Sequence, residues 1–228
     1  MKQTLIVFVL FFFCIQRIHA QESFTQYRTV RINIMPLSLI DYTPRLRIGL
    51  DFDTKGQFGY SCDFGIGNSK INNGRLDGMI WGKNYSFYEI RPEIKYTLLE
   101  NNYSNLYCAT EFFYLLMRDQ LESGHYQKEN SDFEIEYDYA NFRKQKYGAH
   151  LKGGVSLSLY ERLNVDFYWG IGVAERIIDY THVLNPVEMT EPIFVEWVPQ
   201  NYLFEGESVI FHMTMGFKVG YIFRRKTN

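Results

Sequence analysis

Ser86-Phe87-Tyr88-Glu89-Ile90-Arg91-Pro92-Glu93-Ile94-Lys95-Tyr96 (SFYEIRPEIKY) alternates strictly. One parity reads Glu, Arg, Glu, Lys and the other Tyr, Ile, Pro, Ile, Tyr. Side chains of a strand point to opposite faces with period two, so the stretch presents one charged and one apolar face. In a soluble sheet the apolar parity is buried and the charges meet water. Here opposite charges follow one another along one face, which raises the question of what they meet.

The same alternation recurs along the chain. From Arg45 to Asp53, Leu46, Ile48, Leu50 and Phe52 oppose Arg45, Arg47, Gly49, Asp51 and Asp53. From Phe58 to Gly67, Phe58, Tyr60, Cys62, Phe64 and Ile66 oppose Gly59, Ser61, Asp63, Gly65 and Gly67. Gly148 to Leu159, Leu163 to Ala174 and Met213 to Phe223 repeat the pattern, and Thr29 to Leu37 and Leu106 to Arg118 follow it less cleanly. Eight strands result. In the clean runs the apolar parity carries no charge and extends for ten or so residues, the length a tilted strand needs to cross a bilayer (~9–11). The other parity mixes glycine with charge, which suits a crowded interior better than open water.

Connection lengths are an independent test. After Ile40 to Pro44 they alternate: Thr54 to Gln57 short, 68–84 long, Glu100 to Asn105 short, 119–142 long, Glu161-Arg162 short, 180–207 long. Outer-membrane barrels alternate short periplasmic turns with long extracellular loops, and a secreted β-sandwich predicts no such phase. The fold expected is all-β, an eight-stranded antiparallel up-and-down transmembrane β-barrel, with both termini periplasmic.

The N-terminus agrees with export. Lys2, the apolar run Leu5 to Ile15 and Ile18-His19-Ala20 before Gln21 read as a signal peptide over 1–20, leaving 21–228 as the barrel. Lys2 and Arg17 leave with it, so 22 basic face 26 acidic side chains and the mature net charge is −4. Nothing there suggests a nucleic-acid partner. Thr214-x-Gly216-x-x-Val219-x-Tyr221, followed by Phe223, resembles the C-terminal signal read by the barrel-assembly machinery, here with a tail from Arg224 to Asn228.

The Ala20-Gln21 junction, the Glu89-x-Arg91-Pro92-Glu93-x-Lys95-Tyr96 strand and the Gly148-x-His150-x-Lys152-Gly153-Gly154 run resemble the small eight-stranded outer-membrane β-barrels of Bacteroidota. That resemblance implies a barrel of the OmpA/OmpX kind in the bacterial outer membrane. It supplies no catalytic residue.

An eight-stranded barrel has an interior that side chains just fill. Its inward parity carries Arg31, Arg45, Arg47, Arg91, Lys95, Lys152, Arg176 and Lys218 against Asp51, Asp53, Asp63, Glu89, Glu93, Glu111 and Asp166. Near-balance of sign argues for a paired network closing the lumen, since a buried charge without a partner is expensive. Glu89, Glu93 and Asp51 have the residue type of acid–base carboxylates, but basic residues interleave with them on the same face. His150 and His212 point inward, separated only by Gly170 and Gly172 of the strand between them, and spacing indicates no further metal ligand. No catalytic, cofactor-binding or metal-binding residue is assigned. Cys62 and Cys108 face outward one strand apart, too far for a disulfide. Pro92 lacks an N–H, which predicts a local bulge in its strand.

The connections 119–142 and 180–207 are acidic, which suits solvated, strand-extending hairpins more than a site for divalent cations or a basic partner; the second contains Ile193, Phe194, Val195 and Trp197, an apolar segment that needs cover, either folded over the barrel mouth or docked as a partner-facing loop. The function expected is therefore non-enzymatic: a charge-plugged barrel in contact with outer-membrane lipid, acting as a structural, anchoring or accessory subunit of the envelope. A lipid-modifying barrel enzyme and a small gated channel are the alternatives.

Overall fold

Alternating β-branched and aromatic residues make strands throughout the computed structural model, which describes residues 27–41, 43–69, 84–101, 103–128, 133–159, 162–189 and 204–225. Residues 1–20, expected to be a signal peptide, and Ile193, Phe194, Val195 and Trp197 lie outside the described residues. The strands are β1 (Tyr27–Ile34), β2 (Leu46–Thr54), β3 (Phe58–Asn68), β4 (Ser86–Glu100), β5 (Ser104–Gln127), β6 (Glu134–Ser158), β7 (Leu163–Leu184), β8 (Val187–Met189) and β9 (Gly206–Arg225). Every named strand pairing is antiparallel, each of β1 to β7 pairs with its sequence neighbour, and β1 pairs with β9 and β9 with β7. These contacts close a ring of eight strands, and β8 adds to β6 beyond it. No helix of the described residues is long and apolar enough to cross a membrane, which says nothing of strands.

Parity assigns the faces as the alternation predicts. On β3 the exposures alternate, with Gly59, Ser61, Asp63, Gly65 and Gly67 buried and Phe58, Tyr60, Phe64 and Ile66 exposed. β4 behaves likewise, burying Phe87, Glu89, Arg91, Glu93 and Lys95 while Tyr88, Ile90 and Tyr96 face out. Cys62 and Cys108 are free thiols on the outward face. Small inward residues make room for long ones: a Cβ at Gly154 would lie 2.4 Å from the Tyr107 ring, and one at Gly49 would lie 2.2 Å from Asp63.

Two expectations change. Pro92 makes no bulge: β3 pairs continuously from Phe58↔Tyr96 to Asn68↔Ser86, and β4 meets β5 in one register on both sides of it, at Ile90↔Tyr114 and Glu93↔Glu111. The missing donor interrupts one ladder locally, but a slip would turn Glu89 and Arg91 outward, so burial on both sides pins the register. The shift falls instead between Thr97 and Leu99. The connection 119–142 is also largely strand, because β5 continues to Gln127 and β6 starts at Glu134, paired throughout. β7 likewise runs on to Leu184, inside the expected loop 180–207. Together β5, β6 and β7 stand well above β1 to β3 as a hairpin extension. Ser123 and His182 take left-handed φ of 51° and 52° there. On β5 the buried parity changes across this point, from Met117, Asp119 and Leu121 to Tyr126.

Candidate functional site

The inner face of the ring holds the candidate site. Adjacent inward positions on neighbouring strands lie close enough for direct contact, so the charges meet across the ladders and across the interior. At the end nearest the termini, Arg31 contacts Asp51 at 3.4 Å and Asp53 at 2.9 Å. Lys95 bridges Asp51 at 3.1 Å, Asp166 at 3.0 Å and Glu93 at 3.4 Å. Lys152 binds Glu93 and, at 2.9 Å, Glu111. Arg91 joins Glu111 at 2.8 Å to Glu89, which Arg45 contacts at 2.6 Å; Arg45 also reaches Asp41 at 2.6 Å. On β3, directly beside Arg91, Asp63 receives Lys218 at 3.0 Å and Arg47 at 3.2 Å. Ser61 donates to Asp51 at 2.6 Å and accepts from Lys218 at 3.5 Å, which ties the two groups together.

Of the fifteen charges that parity turns inward, Arg176 donates to Ser208 Oγ, and the other fourteen (Arg31, Arg45, Arg47, Asp51, Asp53, Asp63, Glu89, Arg91, Glu93, Lys95, Glu111, Lys152, Asp166 and Lys218) are brought into ion-pair contact. All fourteen except Asp53 are buried, and Glu111 and Lys218 are 0 % exposed. Neutral partners that sequence reasoning left out complete the network. Tyr107 donates to Asp166 at 2.8 Å, Arg47 donates to the Tyr168 hydroxyl at 3.0 Å, and the Lys152 ammonium lies 4.1 Å from the Tyr168 ring centroid. Their inward parity was the available signal. A cavity of about 60 Å³ remains at the end near the termini, lined among others by Thr29, Arg31, Asp53, Tyr107 and Ser156.

His150 and His212 meet. A hydrogen bond of 2.6 Å joins His150 Nε2 to His212 Nδ1, and His150 Nδ1 lies 3.0 Å from Glu111 Oε1. Phe113 stacks on His150 with centroids 4.6 Å apart. Each imidazole thus has a protein partner, and among the described residues no group of three or more His, Cys, Asp or Glu is placed to hold a metal.

Above this level the filling changes. Tyr85, Phe87, Met117, Leu121, Tyr126, Tyr137, Ala140, Phe142, Ile178 and Tyr180 form one apolar cluster inside the hairpin extension. Tyr126 stacks on Tyr180 at 4.2 Å, and Phe142 meets Tyr180 edge-on at 5.4 Å. Burial pushes the Tyr137 hydroxyl up to about 12. Between network and cluster lie three inward cations, Lys144, Lys146 and Arg176, with Lys146 directly opposite Arg176 on β7. Burial, with Arg176 nearby, holds Lys144 down to about 8.

No protein-family model matches the chain, and neither a curated protein nor a solved structure does.

Proposed function

We propose that the ring is an eight-stranded β-barrel spanning the bacterial outer membrane, and that it serves the envelope as a structural or accessory subunit rather than as an enzyme. One observation carries this reading: polarity inverts along single strands. On β5 the outward residues Leu106, Phe112 and Tyr114 give way to Arg118 and Glu122, while the inward residues change from Glu111 to Met117 and Leu121. On β6 the outward series Val155, Leu151 and Tyr147 gives way to Arg143, and inward Lys152 and His150 give way to Phe142 and Ala140. An exposed apolar band is a liability in water and a requirement in hydrocarbon. Aromatic residues such as Tyr88, Tyr114 and Tyr147 sit at one margin of the band and Phe58, Tyr96, Tyr221 and Phe223 at the other, as in interfacial girdles. The band ends at Tyr147 on β6, so Lys144 and the aromatic cluster lie on the extracellular side.

Ion pairing across the interior of the ring supports a plug rather than a pore. Reconstituted in planar bilayers, the folded protein is expected to show no steady conductance and, in liposome flotation, to resist alkaline extraction. Sign-selective single-channel steps would overturn the plug, and extraction by alkali would overturn the membrane assignment.

A further inference from the structure

Among the described strands, β9 is paired on both edges over only part of its length. Toward β7 its pairing is continuous from Ile178↔Gly206 to Leu163↔Tyr221. Toward β1 it extends only from Thr29↔Arg225 to Ile34↔Val219. Pro36 ends β1, since it has no donor to continue the ladder, and the chain turns into a 3-10 turn, Pro36–Leu39, that packs on β2 and β9. From Gly206 to Lys218 no described strand pairs with the second edge of β9, and none of the described backbone bonds outside the strands ends on it.

Side-chain exposure marks the same seam. Inward Ser208, Ile210, His212 and Thr214 stay partly exposed, whereas Lys218 and Gly220, closer to β1, are buried. Outward Val209 and Met215 are 77 % and 75 % exposed. Natural sheets protect such edges with proline, lysine or bulges. Gly206 to Phe217 contains neither proline nor lysine, and Lys218 points inward to Asp63. Beyond the 3-10 turn, no described strand pairs with this edge, and such an edge is a template for an added strand.

Charge defines what fits. Arg176 Nε donates to Ser208 Oγ at 3.1 Å, which brings the guanidinium to the β9 wall beside the open edge. Lys146 follows on β6, and Lys144 one inward position beyond it. We propose that the open edge of β9 receives an extended segment of a partner polypeptide as an added strand, with a carboxylate at the inward position level with Ser208 and apolar residues outward. A second copy of this chain fits poorly, because it would set the same three cations against one another.

The inference concerns the edge of the ring and does not depend on membrane insertion. It is tested on the full chain folded in detergent, by residue-resolved amide exchange with and without a synthetic peptide that alternates valine with serine and carries one central glutamate on the serine face. Alone, alternate amides between Gly206 and Lys218 are expected to exchange fast, and the peptide to slow them. Replacing its glutamate by lysine is expected to weaken binding about tenfold, equivalent to ~1.4 kcal/mol. Arg176→Gln should abolish that preference, and Lys146→Gln should reduce it, with the circular-dichroism spectrum unchanged. Amides already slow without peptide would show the edge covered by the chain's own residues and overturn the proposal. So would protection that tracks protein concentration with a doubling of mass, absence of peptide protection, or equal binding of both peptides. Failure of flotation would overturn the membrane assignment and leave these readouts intact.

Discussion

The inner faces of β5, β6 and β7 are filled in two different ways. Within the ring Glu111, His150, Lys152 and Asp166 make a hydrogen-bonded charge network; in the extension Leu121, Tyr137, Phe142 and Tyr180 make an apolar core. The same strands supply both, so secondary structure does not decide the filling. The opposite face does. Where the outer surface is apolar, the inside holds the charges, whose partners offset their lost hydration. Where the outer surface turns to Arg118, Glu122 and Arg143, the inside becomes an ordinary hydrophobic core. Lys144, Lys146 and Arg176 lie at the crossover and fully match neither regime.

The comparison predicts different responses to substitution. The largest effect is expected from Lys152→Met, which leaves Glu93 and Glu111 without a shared cation; breaking one partner of a buried pair costs about 3–5 kcal/mol. Urea unfolding in detergent reads it, and a change within error would mean that the network contributes little to closure. Phe142→Ala should cost about 3–5 kcal/mol locally. Amide exchange should accelerate over β5 and β6 of the extension and stay unchanged at Asp166 and Lys218; acceleration in both places would join the two regions into one cooperative unit. Leu151→Arg, on the outward band, should cost about 2–4 kcal/mol if that face meets hydrocarbon. Arg143→Leu, outward above the crossover, should change stability by less than about 0.5 kcal/mol. Similar costs for the two would remove the polarity inversion as a membrane boundary.

The smallest effect concerns pH. Lys144 is held near about 8 in the folded chain against an ordinary 10.5, so between those values the unfolded chain binds more protons and stability rises with pH. Below that window the amine is charged in both states and the full burial penalty applies. The melting temperature should therefore climb from pH 8 toward pH 10, and Lys144→Met should flatten the climb. A slope unchanged in that variant assigns it to other groups.

Much of the ring was legible because parity is a local property. Arg91 and Glu93 face inward in the sequence pattern and in the structure for one reason: a one-residue slip would expose every charge of β4 at once. Tyr107 and Tyr168 share that parity, but their roles as hydroxyl partners depend on which strands face each other across the ring. The acidic outward residues of the extension, Glu122, Glu136 and Asp138, pointed to solvated, strand-extending hairpins, but its apolar core was not legible, because Leu121, Tyr137 and Phe142 are spaced across a parity change that breaks the alternation. The Pro92 register went against local chemistry, since one absent donor weighs less than a whole face of buried pairs.

Alternation by itself determined that this chain makes strands with a charged face and an apolar face, and which residues lie on each. Tertiary structure alone decided that Lys152 meets Glu93 and Glu111, that His150 meets His212, and that β1 stops short of covering β9. Period two fixes the direction of each side chain along its own strand. Partners across a closed ring, and an edge that no described strand covers, depend on strand lengths and stagger, which only closure sets.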